Sequence, residues 1–387
     1  MHVGLNLIFL VPDETGGMET AARELIPALI AQAPTETHFT AFVNREAASV
    51  KGAPWNELLP CVTVPVNASN RIQWVFGEQV LLPSLAARAG VDLMHSLAST
   101  APGRGRFRRV ATIHDLIYTH YPDTHEGIRN KGMGLLIPLA VRNSHRVIAI
   151  SQRTRQDLID LLCTPSGKID VVPQGPGGIC RVTPLDAEAT RARLSLGDRQ
   201  VILALSAKRP HKNLSALIGA LAKIQKEVRP LLVLPGYPTW HESELREHAR
   251  TLGIESDVCF AGWLAPEELE GLWSLAAAFV YPSLYEGFGL PVLEAMARGV
   301  PVACSNTSSL PEVAGNAALF FDPHDELAIS HAIERLVHDR SFSRNLRNLG
   351  IARAAKFTWE QTASMTLETY ARALGPERAS VSPALAL

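Results

Sequence analysis

The chain lacks the cysteine pattern of a disulfide framework or of a zinc site. Its cysteines are few, odd in number and scattered, and no two form a Cys-x-x-Cys pair. Small secreted domains and zinc modules need closely spaced pairs. The pattern therefore predicts reduced thiols in a cytoplasmic protein. The five residues are Cys61, Cys163, Cys180, Cys259 and Cys304.

Long apolar runs are also missing. No segment approaches the ~20 residues that a membrane-spanning helix needs. The apolar run Val3–Val11 lacks the basic start and the small-residue cleavage site of a signal peptide, and a Gly-Gly turn follows it. We therefore expect this run to be a buried first strand of a soluble protein.

The charge is balanced, with 37 Lys and Arg against 38 Asp and Glu. A net charge of −1 gives no overall positive field for nucleic acid. No Asp-x-Asp pair or ligand cluster occurs in the motifs described below, and Asp92 and Asp170 stand alone, so we expect neither a metal ion nor another cofactor. A length of 387 residues with 47% hydrophobic and 19% charged residues indicates two globular domains.

Apolar strands alternate with helical patterns along the whole chain, which predicts an α/β protein with parallel sheets. A Gly/Pro cluster at Val171–Gly178 predicts a hinge near mid-chain. The first half has predicted strands at Val3–Val11, Phe39–Val43, Val62–Pro65, Leu93–His95, Val110–Ile113 and Val147–Ile150, with helices at Glu19–Ala31 and Arg153–Leu162. The second has strands at Val201–Leu205, Leu231–Leu234, Val258–Ala261, Ala277–Tyr281, Pro301–Cys304 and Ala318–Phe321, with helices at Leu214–Gln225, Ser243–Leu252, Pro266–Ala276, Glu326–His338, Ser341–Ala355 and Trp359–Leu374.

The segment Glu286-Gly-Phe-Gly-Leu-Pro-Val-Leu-Glu294 carries the most chemical information. Its two carboxylates lie eight positions apart, on either side of a glycine turn that follows a buried strand. Helix formers continue after Pro291, which predicts a helix with Glu294 in its first turn. A strand, a glycine turn and a helix N-terminus in this order form a phosphate site. One carboxylate is then placed for a sugar and the other for a ribose.

This motif resembles the signature of the retaining, nucleotide-sugar-dependent glycosyltransferases of family 4, which have the GT-B fold. The resemblance extends through Gly262–Leu269, Pro282–Gly289 and Pro311–Gly315, and more weakly to the N-terminus. It implies two Rossmann-like, doubly wound domains that face each other across a cleft, with the last helix crossing back to the first domain. The expected limits are 1–178 for the acceptor-side domain, 179–358 for the nucleotide-sugar domain, and 359–387 for the crossing helix and a frayed tail.

The resemblance assigns roles within the second domain. Glu286 lies near the transferred sugar, Glu294 accepts hydrogen bonds from the ribose hydroxyls, and Leu264 lines the base site. The diphosphate site is expected at Phe288, Gly289 and Leu290. The alternatives are structural: a buried carboxylate for Glu286, and a charge favouring the helix dipole for Glu294.

A basic loop follows the first strand of the second domain. Lys212 matches the family's lysine and would stabilise the departing diphosphate. The family often has an arginine where this chain has Ala207, so that either Lys208 or Arg209 takes its place. The structural alternative is a solvated basic turn in which Asn213 caps the next helix.

Two motifs of the first half match the family as well. Gly16 and Gly17 let the backbone approach the donor phosphate and acceptor, unless they form only a tight turn. His114, after the strand Val110–Ile113, can donate to a backbone carbonyl or to a sugar hydroxyl near the 6-position. Asp115 can orient that imidazole, act at the acceptor or cap a turn, and Glu19 is expected to favour the helix dipole.

Two polar segments are more ambiguous. Ser308 and Ser309 are expected to cap a helix near Pro311 rather than contact ligand. Four arginines around Phe107, at positions 104–109, can contact anionic lipid or a lipid-linked acceptor together with Arg129 and Lys131. Basic runs are more often solvated faces.

The combined interpretation is a retaining transferase that moves a hexose from a nucleoside-diphosphate sugar to an acceptor glycan, lipid-linked or part of a surface polysaccharide. The sequence is similar to bacterial mannosyl- and rhamnosyltransferases. This resemblance favours GDP-mannose as the donor, followed by dTDP-rhamnose or a UDP-sugar. The alternatives are a glycogen, starch, sucrose or trehalose type of synthase, a nucleotide-sugar hydrolase or epimerase, and a non-catalytic binding subunit. We expect no nucleic-acid partner and a cytoplasmic location, with peripheral membrane contact an open alternative.

Overall fold

A computed structural model describes residues 1–12, 14–122, 128–178 and 182–375, and describes the backbone but not the side chains of residues 128–131. Cys180, the side chains of Arg129 and Lys131, and most of the predicted tail lie outside the described residues. The described parts of 1–119, 125–174 and 358–387 form one compact unit, and those of 120–124 and 175–357 form a second. The boundary after Gln174 falls within the Gly/Pro-rich segment Val171–Gly178.

The first unit is built on a sheet of seven strands among the described residues, all parallel, in the order β3-β2-β1-β4-β5-β6-β7. The chain reverses its direction of winding between β1 and β4, which is the ligand-binding position of doubly wound folds. The strands are β1 His2–Leu7, β2 His38–Val43, β3 Cys61–Thr63, β4 Leu93–Ser96, β5 Arg108–Ile113, β6 Arg146–Ala149 and β7 Ile169–Val171. The helices are α1 Gly17–Gln32, α2 Arg45–Ala48, α3 Pro54–Glu57, α4 Arg71–Phe76, α5 Leu82–Arg88, α6 Ile117–His120, α7 Ile128–Asn143 and α8 Gln152–Leu162, with a π-helical turn at Gly77–Leu81 between α4 and α5.

The second unit has six described strands, again all parallel, in the order β10-β9-β8-β11-β12-β13. Its winding reverses between β8 and β11. The strands are β8 Val201–Leu203, β9 Leu231–Pro235, β10 Val258–Gly262, β11 Ala276–Tyr281, β12 Val302–Ser305 and β13 Ala318–Phe321. The helices are α9 Ala187–Leu194, α10 Leu214–Lys223, α11 Glu242–Thr251, α12 Pro266–Leu275, α13 Leu290–Ala297, α14 Leu310–Ala314, α15 Glu326–His338 and α16 Arg340–Ala354, followed by α17 Trp359–Leu374, which belongs to the first unit.

The last helix is bound to the first sheet through buried polar contacts. The hydroxyl of Tyr370 on α17 lies 2.7 Å from Nδ1 of His95 on β4, and Nε2 of the same ring lies 2.8 Å from the Thr112 hydroxyl. The Thr362 hydroxyl donates to the carbonyl of Pro173 at 2.7 Å. Burial lowers the pKa of His95 to about 3, so this ring is neutral.

The first strand is shorter than its apolar run suggests. The run predicts a strand over Val3–Val11, but β1 ends at Leu7. The amide of Ile8 donates to the side chain of Asn6 at 3.2 Å, which turns the backbone out of the sheet. The apolar residues that follow are buried in a loop instead.

Candidate functional site

The basic loop, which contains Lys208, Arg209 and Lys212, follows β8. The loop that contains Glu286, here called the glutamate loop, follows β11. These two strands pair in the sheet of the second unit. The carbonyl of His211 accepts hydrogen bonds from the Leu284 amide at 2.8 Å and from the Ser283 hydroxyl at 3.2 Å. These bonds join the two loops at the winding reversal, where doubly wound folds bind ligands.

Lys212 and Glu286 form an ion pair at this junction. The Lys212 ammonium lies 2.6 Å from Oε1 of Glu286, and the two side chains are only 16% and 12% exposed. The ammonium also donates to the Tyr281 hydroxyl at 3.1 Å, and it lies 5.5 Å from the centre of that ring. A positive charge is therefore fixed in place beside a carboxylate, with little water around either.

Tyr281 links the charged groups of the site. Burial raises its pKa well above the usual range, and the charges of Glu286 and Glu294 raise it further. The hydroxyl therefore stays protonated, and it is hydrogen-bonded to the Glu286 carboxylate while it accepts from Lys212. Both carboxylates of the sequence motif thus lie close enough to act on one buried hydroxyl.

Ser308 and Ser309 hold the glutamate loop. The Ser308 hydroxyl donates to the Glu286 carbonyl at 2.5 Å, and its oxygen lies 3.0 Å from the Glu286 amide. The Ser309 hydroxyl donates to the carbonyls of Glu286 at 3.0 Å and Phe288 at 2.8 Å. The expectation that these serines cap a helix is wrong. Ser309 occupies the N-cap position of α14, but its side chain makes no cap bond there.

The helix after the glycine turn is α13, which begins at Leu290. Gly289 precedes it with φ of +105°, in a region that only glycine adopts readily, and a Cβ at this position would lie 2.6 Å from the Leu310 side chain. Phe288 is buried and its ring packs edge-on against Phe357. Glu294 is the fifth helical residue, so the prediction of a first-turn glutamate is wrong and a helix-dipole role does not explain it.

The basic residues of the β8 loop separate into different environments. Lys208 is fully buried, and its ammonium donates to the Gly236 carbonyl and lies 3.9 Å from Glu242. Burial lowers the pKa of Lys208 to about 8. Arg209, by contrast, is partly exposed, immediately before the 3₁₀ turn Pro210–Lys212.

Asn213 does not cap α10 with its side chain, contrary to the structural alternative. Its side-chain amide donates to the carbonyls of Pro282 at 3.2 Å and Pro323 at 2.7 Å. It therefore ties the basic loop to the end of β11.

Leu264 follows β10 and is almost completely buried. Gly262, two residues earlier, has φ of +68°, and its carbonyl accepts from the Gly236 amide at 2.7 Å. The loop that follows β9 is thus joined to the last residue of β10, and Leu264 lies two residues beyond that junction.

The glycine loop of the first unit leaves open space beside the backbone. Gly16 precedes α1 with φ of +62° and ψ of −130°, and a Cβ built on it would meet nothing within 4 Å. Gly17 is the first residue of α1. An exposed glycine at a helix N-terminus leaves room for a ligand. No neighbouring atom would clash with a side chain at this position.

His114 follows β5, and its buried ring is fixed by the loop after β4. Nε2 lies 2.8 Å from the Leu97 carbonyl, and the His114 amide donates to the Ser99 hydroxyl at 3.1 Å. A carbonyl only accepts, so Nε2 carries the proton and Nδ1 is the acceptor. Burial lowers the pKa of His114, which keeps the ring neutral. The sequence suggested that this ring donates either to a backbone carbonyl or to a sugar hydroxyl. In the structure it donates to the Leu97 carbonyl.

Two neighbours of these motifs have local structural partners. Glu19 pairs with Arg23 one turn along α1 at 2.7 Å. Asp115 Oδ1 accepts from the Ile117 amide at 3.0 Å, as in a helix cap.

Comparison with known proteins assigns these features to one family. Residues 15–175 match the model described as glycosyltransferase family 4, and residues 186–353 match that of glycosyl transferases group 1. The O-antigen chain mannosyltransferase B of Escherichia coli is 32% identical over 274 residues, which cover 68% of this chain and 70% of that protein. The chain belongs to the group 1 glycosyltransferases.

Two further similarities agree with this glycosyltransferase assignment. The serotype-specific mannosyltransferase WbdA of Escherichia coli is 34% identical over 277 residues, which cover 69% of this chain but only 34% of that longer protein. Sucrose-phosphate synthase of Thermosynechococcus elongatus superimposes with a TM-score of 0.78 at 22% identity, covering 96% of this chain and 98% of the other. That identity shows the fold alone, which is GT-B.

The glycosyltransferase contains a polar cluster that sequence reasoning missed. Glu78 lies on the π-helical turn, a feature often found at functional sites, and is almost completely buried. Its Oε1 accepts from the Asn6 amide at 2.9 Å and from the Thr100 hydroxyl at 2.9 Å, and Asn6 also donates to Ser96 at 3.0 Å. Burial raises the pKa of Glu78. The cluster joins the end of β1 to the end of β4 and to the loop that follows β4, and this loop holds His114.

No signal in the sequence distinguished Glu78 from a surface glutamate, because the segment has no regular apolar period. The polar role of Tyr281 was also missed, because this residue ends an apolar strand and the pattern predicts a core residue there. Within the described ranges, no helix is long and apolar enough to cross a bilayer. Those ranges also contain no group of three His, Cys, Asp or Glu side chains suited to a metal ion.

Proposed function

We propose that this glycosyltransferase moves mannose from GDP-mannose to a hydroxyl of an acceptor glycan, with retention of the anomeric configuration and without a metal ion. The observation that carries the proposal is the Lys212–Glu286 ion pair, completed by Tyr281 beside the N-terminus of α13. This arrangement offers a fixed cation for a departing diphosphate next to a carboxylate for sugar hydroxyls.

The reaction breaks the bond between the anomeric carbon and the diphosphate oxygen and forms a bond from that carbon to the acceptor oxygen on the same face. The leaving phosphate takes the acceptor's proton. Negative charge grows on the diphosphate as the bond breaks, and the Lys212 ammonium and the amino end of α13 stabilise it. Because these groups are already in place and poorly hydrated, they need little reorganisation.

Glu286 serves in this proposal as a sugar-binding group. A nucleophile would need a free carboxylate at the anomeric carbon, as in double displacement. Here one oxygen is bound to the Lys212 ammonium, and the Tyr281 hydroxyl also bonds the carboxylate. Both interactions reduce its nucleophilicity, which supports transfer without a covalent intermediate.

His114 serves as a hydrogen-bond acceptor in the proposal. Nδ1 of the neutral ring can accept from a hydroxyl of the donor sugar, because Nε2 already donates to Leu97. The glycine loop at Gly16 and Gly17 is assigned to the acceptor and the donor phosphate, and Glu294 to the ribose. Arg209 is assigned to phosphate in preference to Lys208, whose ammonium is buried and bound to a carbonyl.

The choice of mannose and of an acceptor glycan in this proposal rests on the activities for which similar proteins are named. Two proteins at 32% and 34% identity are named as mannosyltransferases, and one acts on the O-antigen chain. An O-antigen type of acceptor glycan is supported by that similarity. A lipid carrier for this glycan, at the cytoplasmic side of the membrane, is our extension of the sequence-based interpretation.

A thermal-shift panel tests the donor assignment. GDP, UDP, dTDP and ADP and their sugars are added to the full chain with and without EDTA, since a ligand that binds only the folded state raises the melting temperature. The proposal predicts the largest shift with GDP and GDP-mannose, unchanged by EDTA. A larger shift with another nucleotide would replace the donor, and dependence on a divalent ion would contradict metal-free binding.

A further inference from the structure

Glu78 is a buried carboxylate of the first unit to which the proposed reaction gives no role. It is 1% exposed and lies on the π-helical turn Gly77–Leu81. Its Oε1 accepts from the Asn6 side-chain amide and from the Thr100 hydroxyl, each at 2.9 Å, and its Oε2 accepts from the Gln79 side-chain amide at 3.1 Å. Among the described residues, no Lys, Arg or His side chain pairs with it. Burying a carboxylate without a cation is costly, so packing alone does not account for this residue.

The two side-chain amides around Glu78 are oriented by backbone groups. Asn6 accepts from the Ile8 amide at its Oδ1, at 3.2 Å, which leaves its Nδ2 to face Glu78. Gln79 accepts from the Gly103 amide at its Oε1, at 2.9 Å, which leaves its Nε2 to face Glu78 as well. Both amides therefore present N–H groups, and Glu78 must accept at each of its two oxygens. A carboxylate meets this requirement, whereas a glutamine of the same shape would place a donor against a donor.

The loop after β4 connects this carboxylate to His114. At one point of the loop, the Thr100 hydroxyl donates to Glu78. At another, the Leu97 carbonyl accepts from His114 Nε2 at 2.8 Å, and the Ser99 hydroxyl accepts from the His114 amide at 3.1 Å. The bonds to Glu78 and to His114 are thus made by residues close together in one short loop. A shift of the loop at Thr100 therefore also moves the Leu97 carbonyl.

We propose that Glu78 is a positioning residue, which holds the loop after β4 so that the Leu97 carbonyl stays bound to His114. That bond keeps the proton on Nε2 and leaves Nδ1 as an acceptor. When the loop is displaced, Nε2 loses its acceptor, and the proton can occupy either ring nitrogen. A ring with its proton on Nδ1 cannot accept from a sugar hydroxyl there. The consequence for donor binding rests on the proposed function, which assigns Nδ1 to the donor sugar, whereas the effect on the ring itself does not.

Nitrogen NMR of the His114 ring tests the effect on the ring without any ligand. The full chain is labelled with isotope-enriched histidine, and the His114 signals are identified by their loss in His114→Gln. In the wild type we expect two well-separated ring nitrogens, a protonated Nε2 and an unprotonated Nδ1. In Glu78→Gln, which keeps the shape but adds a donor, the two shifts should move toward each other as the tautomers mix. An unchanged His114 spectrum in a folded Glu78→Gln variant would overturn the proposal.

Two further variants separate positioning from a general loss of charge or of folding. Asp170→Asn removes a partly buried carboxylate from β7 of the same unit, which is bound to Arg146 and not to the loop after β4, and should leave the His114 spectrum unchanged. Thr100→Val removes the bond from the loop to Glu78 and should change the spectrum in the same direction as Glu78→Gln. Melting temperatures show which variants fold, and Thr100→Val provides the test if Glu78→Gln does not. An equal change in Asp170→Asn would mean that His114 responds to any lost charge, and would overturn the proposal.

Titration calorimetry with two ligands tests the consequence for the donor. GDP lacks the sugar that GDP-mannose carries, so the ratio of their affinities isolates the sugar contact. We expect Glu78→Gln to leave GDP binding unchanged and to weaken GDP-mannose binding about three- to tenfold, which corresponds to one hydrogen bond. Equal weakening of both ligands would indicate general damage and would overturn the proposal.

The two measurements distinguish a failure of this proposal from a failure of the proposed function. If the ring spectrum of Glu78→Gln changes but GDP-mannose binding does not, the positioning role stands and the sugar contact of His114 Nδ1 is wrong. If the wild type binds neither ligand, the GDP-mannose assignment fails, and the ring spectrum alone decides the role of Glu78.

Discussion

The ammonium of Lys212 lies 2.6 Å from the carboxylate of Glu286. The residue that the sequence associates with the donor's diphosphate is therefore paired with the residue that it associates with the donor's sugar. A diphosphate must share or replace this pairing when it binds. Each residue consequently sets the charge that the other presents to the ligand.

Replacing Glu286 should separate binding from turnover. We expect Glu286→Ala to abolish measurable transfer but to leave binding of the nucleoside diphosphate intact or slightly tighter, because Lys212 loses its competing carboxylate. Titration calorimetry with the diphosphate and a transfer assay give the two quantities. An equal loss of binding and turnover would remove the assigned role at the sugar.

Replacing Lys212 should also lower turnover, because the variant loses the charge that stabilises the leaving diphosphate. Lys212→Ala is expected to lower the transfer rate ~10²-fold or more, as for other groups that stabilise a developing charge. Lys223, paired with Glu326 at 3.2 Å at the far end of α10, offers a matched control as Lys223→Ala. A change in Lys212→Ala confined to KM, with kcat unchanged, would show uniform binding rather than leaving-group stabilisation.

The Tyr281 hydroxyl should matter to catalysis more than to stability. Tyr281→Phe keeps the ring but removes a bond from Lys212 and a bond to Glu286, so we expect kcat to fall about tenfold, the range of a hydrogen bond to a charged group. Tyr370→Phe deletes another buried hydroxyl, bound to His95 in the first unit, and is the control. Equal kcat in Tyr281→Phe and wild type would assign the hydroxyl a structural role.

Gly289 should tolerate no side chain. Gly289→Ala forces a residue into φ of +105° and places its Cβ 2.6 Å from Leu310. We expect a lower melting temperature and weaker nucleotide binding, because the start of α13 must shift. Gly253→Ala also introduces a side chain at positive φ, but into open space, and separates backbone strain from the clash. Matching losses in both variants would show that the contact with Leu310 is unimportant.

The buried His95 should make stability depend on pH. Its folded pKa is about 3, below its unfolded value of about 6.5. The unfolded chain therefore binds more protons between these values, and stability is complete above pH ~6.5 and falls as pH decreases, by at most about 1.4 kcal/mol per pH unit. Urea unfolding between pH 5 and 7.5 should show a shallower dependence for His95→Gln. Identical slopes would contradict the assignment.

The sequence predicts the parts of this glycosyltransferase that depend on local pattern. The apolar run before Glu286 is β11, and the helix formers after Gly289 are α13, because both have strong periodicity and clear turn residues. Where apolar residues continue into a loop, as they do from Ile8 onward, periodicity alone overextends the strand. Short helices such as α4 and α5, interrupted by a π-helical turn, have too few turns to produce a pattern.

Partners between distant segments could not be predicted. The serines at 308 and 309 look like helix caps, but the preceding loop lies close enough for them to bind the Glu286 loop instead. Lys208 looks as suitable for phosphate as Arg209 does, and only its burial against Gly236 separates the two. Such choices depend on which backbone carbonyl lies nearest, and this information is not contained in residue type or spacing.

The most direct measurement is NMR of the transfer product. GDP-mannose is incubated with the full chain and a panel of tagged mannosides, and the anomeric signal of the new linkage is compared with that of the α-configured donor. The account predicts an α-mannoside, formed only when acceptor is present and lost in Glu286→Ala. A β-linked product, or free mannose released equally with and without acceptor, would contradict retaining transfer and favour an inverting enzyme or a hydrolase.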